Sequence, residues 1–300
     1  MFMKKYVSAV VDTPEILEQF LRRELGLSRK QISQAKFREE GICVNGERCR
    51  VTAAVKPGDQ VTVLLESEDR ESAHLVSGCG TLRILYEDED ILAVDKPSGM
   101  VVHPSHGHYE DSLANMAARY FREKGMAVRI RPVGRLDKDT SGIVLFAKNQ
   151  VAAARLSEQK NSGEFCKEYL ALVQGVPEQQ KGTICTDMNK DPESLMKMKT
   201  VEKGLRAVTH YEIRQVFQDY SLIRVSIETG RTHQIRVHMA SIGHPLLGDR
   251  LYGKDMRMER TALHAAACCF RQPFTGEKIQ LQAELPEDMK KVMDGNICII

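Results

Sequence analysis

Apolar residues near the start of the chain recur at the spacing of a short helix. Five of them fall on one helical face: Ile16, Leu17, Phe20, Leu21 and Leu25. Thr13 and Pro14 form a favourable helix start ahead of this face, and Gly26 is a suitable stop. A second short helix is predicted after Ser28, because serine is a good helix cap.

Turn-forming residues after these helices predict a small sheet. Asn45–Gly46 is a strong β-hairpin signal, and Lys56–Asp59 forms a second turn before a strand at Val61–Leu65. Residues 13–67 are therefore predicted to form a small α/β domain. Residues 68–80 are polar and lack any period, and they are predicted to form a linker.

Beyond residue 80, apolar runs of strand length outnumber helical patterns. Strands are predicted at 82–86, 91–95, 143–147, 166–173, 207–216, 220–228, 263–270 and 279–283. Helices are predicted from about Asp111, over 151–160 and through Ile235, whereas the basic, methionine-rich segment 187–206 is expected to be irregular. Many strands with few helices between them predict an α+β domain over 81–300, with a mixed, largely antiparallel sheet.

The composition is that of a soluble globular protein, since 42% of the 300 residues are hydrophobic and 28% are charged. The eight cysteines are scattered and form no C-x-x-C pair, which indicates a reducing compartment. No segment approaches about 18 consecutive apolar residues, and the N-terminus lacks the apolar run of a signal peptide. We therefore expect a cytoplasmic protein with no membrane attachment.

The formal net charge is only +2, so any binding to nucleic acid must depend on local clusters of charge. Between residues 22 and 38, six basic residues stand against one acid, Glu24: Arg22, Arg23, Arg29, Lys30, Lys36 and Arg38. A fixed basic helix face can neutralise RNA phosphates without reading bases. The alternative interpretation is an ordinary solvated helix face.

Asp137 lies in a short loop, Val133–Gly142, that leads into the apolar strand at 143–147. A carboxylate on a tight loop before a core strand is held rigidly while its oxygens stay accessible, as a nucleophile or general base requires. The alternative is that Asp137 and Asp139 only bind backbone groups of the turn, as aspartate often does.

A second segment, Glu228–His238, is dense in hydrogen-bond donors. They crowd one and a half helical turns: Arg231, His233, Gln234, Arg236 and His238. Arg236 follows Ile235 by about 100° around the helix, so its guanidinium can reach a buried carboxylate from the edge of the packing face. The alternative here is a surface helix with scattered charges.

Four motifs, found in order along the chain, resemble those of the RluA-type pseudouridine synthases. They read DKPSGMVVHPSHG, VGRLDKDTSGIVLFAKN, KEYLALVQG and TGRTHQIRVHMASIGHPLLGD. The resemblance spans about Leu82 to Leu285. The first module resembles the small RNA-binding domain named after the fourth small-subunit ribosomal protein, which often precedes this type of synthase. The resemblance thus implies the pseudouridine synthase fold after a small RNA-binding domain.

The resemblance also implies roles for individual residues. Asp137 corresponds to the catalytic nucleophile, Tyr169 to the residue that stacks on the target base and is a candidate for proton transfer, and Arg236 to the partner of the catalytic carboxylate. Further substrate contacts are expected from the polar residues around these three: Arg135, Lys167, Arg231, His233 and Gln234. One position departs from the pattern, because Gly134 stands where many members of the family have histidine.

The implied reaction isomerises uridine in structured RNA to pseudouridine. It involves no redox change and loses no group, so we expect neither a metal nor another cofactor. The RNA partner is expected to be ribosomal or transfer RNA, and the protein is expected to be a monomer without an obligate protein partner. Two alternatives remain. One is a zinc or other metal site built from the loop with His103, His106 and His108 together with His233, His238 and His244. The other is a non-catalytic RNA-binding or ribosome-assembly protein, which would not need Asp137, Tyr169 and Arg236 together.

Overall fold

A computed structural model of the chain describes residues 5–66, 75, 80–126, 128–194 and 196–295. The chain divides into two compact units, of which the first contains the N-terminal residues up to Ala73 together with Phe121–Arg129 and Asn149–Val151. The second contains the remainder. The predicted linker at 68–80 lies outside the described residues apart from Leu75 and Gly80, so the domain boundaries stay predictions.

The N-terminal unit combines two short helices with antiparallel strands. Its elements are β1 (Lys5–Val10), β2 (Glu15–Ile16), α1 (Leu17–Arg23), α2 (Arg29–Ala35), β3 (Ile42–Val44), β4 (Glu47–Arg48), β5 (Ala54–Val55) and β6 (Gln60–Glu66). Four strands form one sheet in the order β1-β6-β3-β4, and β2 pairs with β5. Leu17, Phe20 and Leu21 of α1 are fully buried, which explains the helical spacing of apolar residues in the sequence.

Two local signals in this unit are confirmed and one is wrong. Ser28 caps α2 through a capping box with Gln31, and Asn45 and Gly46 both adopt positive φ angles, 52° and 86°, in the β3–β4 turn. Thr13 does not cap the first helix. Residues Glu15–Ile16 pair with β5 instead, so α1 begins at Leu17.

After residue 80 the chain forms one large sheet with four helices. The elements are β7 (Arg83–Glu87), β8 (Ile91–Lys96), α3 (Leu113–Glu123), β9 (Arg131–Pro132), β10 (Ser141–Ala147), α4 (Gln150–Ser162), β11 (Cys166–Gln174), β12 (Lys181–Lys190), β13 (Met198–Val201), β14 (Leu205–Val216), β15 (Tyr220–Ile227), α5 (Gln234–Ser241), β16 (Leu263–Arg271), β17 (Lys278–Gln282) and α6 (Glu287–Met293). None of the described helices is long and apolar enough to span a membrane.

The strand order is β13-β12-β14-β15-β11-β16-β10-β8-β7, with β17 beside β16 and β9 beside β10. Only β10 and β16 run parallel; the other described pairs of this sheet are antiparallel. The predicted α+β fold with a mixed, largely antiparallel sheet is therefore confirmed.

The prediction of an irregular segment at 187–206 is wrong for 187–190, 198–201 and 205–206, whereas the described residues between β12 and β13 form neither helix nor strand. β12, β13 and the start of β14 form a regular antiparallel ladder there, from Asp187 opposite Val201 to Lys190 opposite Met198. Most side chains of these strands are exposed or half-buried, with Met188 fully buried. Backbone pairing rather than alternating burial holds the strands, so the sequence carries no period-2 signal.

Strand β10 fixes the end of the Asp137 loop. All seven of its residues are buried, and it lies between β8 and β16. Gly142 has a φ of 107°, and a Cβ there would overlap the carbonyl oxygen of Ala265 and lie 2.7 Å from its nitrogen. Only glycine allows the two backbones to approach so closely, five residues after Asp137.

We predict that Gly142→Ala lowers the free energy of unfolding by roughly 3 kcal/mol or more, because it adds both strain at positive φ and a backbone clash. Gly276→Ala is the matched control, since Gly276 also has positive φ (72°) but faces open space. It should cost only about 1 kcal/mol. Urea unfolding of both variants measures the difference, and equal losses would contradict the close-approach argument.

Candidate active site

The predicted site residues surround one cavity of about 280 Å³. Its walls come from the Asp137 loop, β11 and the segment from Ile227 to Arg236. All eight residues predicted for catalysis or substrate binding line it: Arg135, Asp137, Lys167, Tyr169, Arg231, His233, Gln234 and Arg236. The structure therefore brings together residues that lie up to 101 positions apart in the sequence.

One carboxylate oxygen of Asp137 faces two groups, the guanidinium of Arg236 and the imidazole of His233. Oδ2 lies 3.6 Å from Nη1 of Arg236 and 3.9 Å from Nε2 of His233, and the side chain is 32% exposed. In the turn, Thr140 N–H donates to the backbone carbonyl of Asp137, not to its carboxylate. The side chain is thus available for chemistry, which argues against a purely turn-forming role.

Arg236 is held by a second carboxylate that the sequence analysis did not single out. Nε and Nη2 donate to Oδ2 and Oδ1 of Asp249, each at 2.7 Å, which leaves Nη1 facing Asp137. Burial alone would lower the pKa of Arg236, but the hydrogen bonds that it donates to Asp249 raise the pKa above the ordinary value. The guanidinium is therefore a permanent cation in a fixed orientation.

Asp249 is itself fully enclosed, and its acceptor capacity is well used. Oδ1 also accepts the backbone N–H groups of Leu251 and Tyr252, at 3.0 and 3.2 Å. Gly248 precedes it with a φ of 69°, pressed against the backbone of Arg260. The Gly-Asp pair in the fourth motif was the only available sequence signal, and it did not reveal the partner.

His233 adopts a left-handed backbone conformation (φ 55°) at the start of α5. Its Nδ1 lies 3.0 Å from the hydroxyl of Tyr252, and the two rings meet edge to face. Burial lowers the pKa of His233 below its ordinary 6.5, so the imidazole is neutral at neutral pH. Tyr252 also went unnoticed in the sequence analysis.

β11 contributes an aromatic wall and a lysine. Tyr169 is buried opposite Val225 and Ala265, and burial raises the pKa of its hydroxyl, which therefore stays protonated. Lys167 donates to the carbonyl of Ile143 at 3.1 Å, and burial lowers the pKa of its ammonium group. An aromatic face beside donors suits a base removed from its RNA stack.

The structure does not support the predicted substrate contact of Gln234. Its Nε2 donates to Val208 and to Thr209, and its Oε1 accepts from Thr229 and from the backbone of Arg231. Both donors and both acceptor positions are occupied within the protein, so Gln234 holds the loop before α5 in place. All four bonds of this buried amide connect parts of the protein to one another.

Lys160 of α4 lines the cavity beside Gly134, the position at which many members of the family have histidine. Gly134 has a φ of 87°, and a Cβ at this position would lie 3.3 Å from Nζ of Lys160. Lys160 and Arg135 are both exposed, so their charges face solvent at the cavity rim. The ammonium group thus borders the space that a side chain at position 134 would enter.

The buried ammonium group of Lys96 is hydrogen-bonded to the Asp137 loop. It is fully buried and donates to the carbonyls of Pro97, Met100 and Lys138, at 2.9, 2.7 and 2.9 Å. Burial lowers its pKa to about 7. Since Lys138 follows Asp137 directly, these bonds fix the Asp137 loop to the end of β8.

The described residues contain no group of three or more His, Cys, Asp or Glu side chains placed to hold a metal ion. In the histidine loop, His108 is 2.6 Å from Asp111 and 3.2 Å from Nζ of Lys138. The loop thus gives the zinc interpretation no ligand set among these residues.

Comparison with known proteins identifies the class. The sequence profile described as RNA pseudouridylate synthase matches residues 90–241, just over half of the chain. The chain therefore belongs to the RNA pseudouridylate synthase family, and the predicted isomerase activity is confirmed. The alternative of a non-catalytic RNA-binding protein is not supported by these matches.

Several relatives cover most of the chain. The Bacillus subtilis protein called uncharacterized RNA pseudouridine synthase YlyB is 39% identical over 94% of each chain. Ribosomal large subunit pseudouridine synthase D of Xanthomonas campestris is 36% identical over 89% of this chain and 84% of its own. Among solved structures, human RNA pseudouridylate synthase domain containing 1 shares the fold, with a TM-score of 0.58 at 24% identity over 72% of this chain and 87% of its own.

We predict that Asp249→Ala destabilises the protein by about 3–5 kcal/mol, because it leaves the buried guanidinium of Arg236 without its bidentate partner. Asp219→Ala serves as the control. It removes one of the two carboxylate partners of Arg257, which keeps Asp255, from a more exposed ion pair and should cost about 0–1 kcal/mol. Thermal and urea unfolding measure the loss of stability in each variant. Similar losses would show that the buried ion pair stabilises the protein no more than the exposed one.

Proposed function

We propose that this enzyme isomerises a uridine of ribosomal RNA, with Asp137 as the nucleophile. The observation that carries the proposal is the position of the Asp137 carboxylate, which is accessible in the cavity and faces a fixed guanidinium at 3.6 Å. An ionised carboxylate is the nucleophilic form, and the guanidinium of Arg236 lies beside the Asp137 carboxylate as a fixed cation. Tyr169 supplies the aromatic wall for the uracil ring.

The reaction breaks the bond between N1 of uracil and C1′ of the ribose and forms a bond from C5 to C1′. C5 loses a proton and N1 gains one, so atoms and electrons balance without a redox partner. Asp137 can attack C1′ or C6, or assist an elimination, and each route uses the same carboxylate. The protonated Tyr169 hydroxyl is a candidate for the proton step.

The positive charges at the cavity support an RNA substrate. Arg135, Lys160, Lys167 and Arg231 line its wall or rim, against Asp137 and Glu228 as the carboxylates. Such a surround suits the phosphates that flank a flipped nucleotide. The name of the Xanthomonas relative supports ribosomal RNA of the large subunit as the substrate, and we expect the protein to act in the cytoplasm as a monomer.

The N-terminal unit is proposed to add RNA affinity, although the structure reduces the predicted basic cluster. Arg23 is neutralised by Asp12 and Glu15, at 2.7 and 2.6 Å, and Arg38 donates to the carbonyl of Leu64. Four exposed cations remain: Arg22, Arg29, Lys30 and Lys36. Phe37, which is 78% exposed and carries Lys36 over its ring, adds a surface on which a base can stack.

We predict that Asp137→Asn lowers the single-turnover rate by roughly a thousandfold or more, because an amide is a poor nucleophile. Folding and RNA affinity should survive, since the size and shape of the side chain are kept. The control is Asp139→Asn, which removes an exposed carboxylate two residues away in the same loop and should leave the rate nearly unchanged. The rate of pseudouridine formation in large-subunit ribosomal RNA is the readout, and near-normal turnover by Asp137→Asn would sink the nucleophile assignment.

A second prediction compares adjacent arginines of α1. Arg22→Ala should weaken RNA binding and reduce the slope of log affinity against log salt by about one, as expected for one lost phosphate contact. Arg23→Ala changes the net charge equally but removes an arginine already paired with acids. Its slope should stay unchanged. Equal salt slopes in the two variants would contradict the proposal that the exposed face of α1 with Arg22 binds RNA.

A further inference from the structure

Tyr252 contacts both groups that face the catalytic carboxylate. The guanidinium of Arg236 lies 5.2 Å from the centre of its ring, and the imidazole of His233 meets the ring edge to face at 5.7 Å. Its hydroxyl lies 3.0 Å from Nδ1 of His233. One aromatic residue thus supports two neighbours of Asp137, although no sequence motif assigned it a role.

The hydrogen bonds of Tyr252 favour one position for the proton of His233. The backbone N–H of Met198 in β13 donates to the tyrosine oxygen at 2.8 Å, so this oxygen already accepts one bond. The phenolic proton is then free to be donated to Nδ1 of His233. A neutral imidazole that accepts at Nδ1 carries its own proton on Nε2, the atom 3.9 Å from Oδ2 of Asp137.

The backbone around this contact is also fixed. His233 is one of two described non-glycine residues with positive φ, a conformation that costs about 1–2 kcal/mol. The turn that carries Tyr252 is closed by a hydrogen bond from Gly253 N–H to the carbonyl of Asp249, and its N–H groups bind the Asp249 carboxylate. Strain of this kind persists where the surrounding structure over-determines a functional geometry.

We propose that Tyr252 is a positioning residue for the isomerisation, which acts by holding His233 as the Nε2–H tautomer so that this N–H is directed at Asp137. The proposal rests on the proposed role of Asp137. The imidazole then supplies a second, uncharged donor to the carboxylate beside the charged donor Arg236. The present 3.9 Å is longer than a hydrogen bond, but catalytic contacts in substrate-free enzymes are often long and shorten when substrate binds.

The neutral state of the imidazole matters for reactivity. Besides Asp137, the charged groups facing His233 are Arg236 and Asp249; the two carboxylates favour its protonation, whereas burial and the arginine oppose it. The phenol of Tyr252 stays protonated because burial raises its pKa. An imidazolium would form a close ion pair with the carboxylate and leave its lone pairs less available for attack. The rate should therefore fall as the pH drops through the lowered pKa of His233, below 6.5.

The direct test is the ¹⁵N spectrum of the histidine rings in the full chain, without substrate. The native protein should show His233 as the Nε2–H tautomer, and Tyr252→Phe should show a mixture of both tautomers. Tyr220→Phe is the matched control, because it also deletes a hydroxyl that makes a backbone hydrogen bond, to Val292, away from the cavity. It should leave His233 unchanged. A native Nδ1–H tautomer, or no change in Tyr252→Phe, would overturn the proposal.

The kinetic test measures single-turnover rates at saturating RNA. Tyr252→Phe should lose about tenfold in rate with unchanged RNA affinity, the scale of one hydrogen bond, and Tyr220→Phe should lose nothing beyond stability. In His233→Gln the amide keeps a donor but cannot titrate, so the low-pH loss should disappear. A native rate in Tyr252→Phe, or a low-pH loss retained in His233→Gln, would contradict the proposal. If Asp137→Asn proved active, the proposed nucleophile would fail instead, while the ¹⁵N spectrum would still decide the tautomer.

Discussion

The buried ion pair between Arg236 and Asp249 is the interaction on which the site depends. A guanidinium in the interior is costly unless its donors are used, and Asp249 uses two of them in one plane. The remaining edge of Arg236 is therefore aimed at Asp137 before any RNA arrives. Catalytic electrostatics of this kind needs no reorganisation during the reaction, which is the advantage of a preorganised site.

The rest of the second unit keeps Asp137 opposite that edge. Gly142 lets β10 approach β16, and Lys96 binds the carbonyl that follows Asp137. The loop is thus tied to two strands of the same sheet, to β8 near its middle and to β10 at its end. The Asp137 carboxylate therefore lies on a loop whose backbone is held rigidly. Its oxygens stay accessible to substrate while their position is fixed.

Apolar strand runs and turns were enough to predict the fold class, because both are local signals. The cavity residues were brought together instead by the resemblance of four motifs to those of a known family. Sequence reasoning missed Asp249 and Tyr252, whose importance comes from partners 13 and 19 residues away and leaves no periodic trace. It could not show that the amide of Gln234, which lines the cavity, is also bonded on both sides within the protein. It also counted Arg23 as a free charge, because acids of the same unit pair with it only in three dimensions.

The absence of a side chain at Gly134 has a consequence for how this enzyme can diverge. The ammonium of Lys160 borders the volume that a histidine at that position would enter, and the backbone there has a positive φ. Because Lys160 is exposed and its ammonium is the far end of a flexible side chain, that contact can be relieved by a movement of the lysine, so the left-handed backbone is the larger barrier to a histidine at this position.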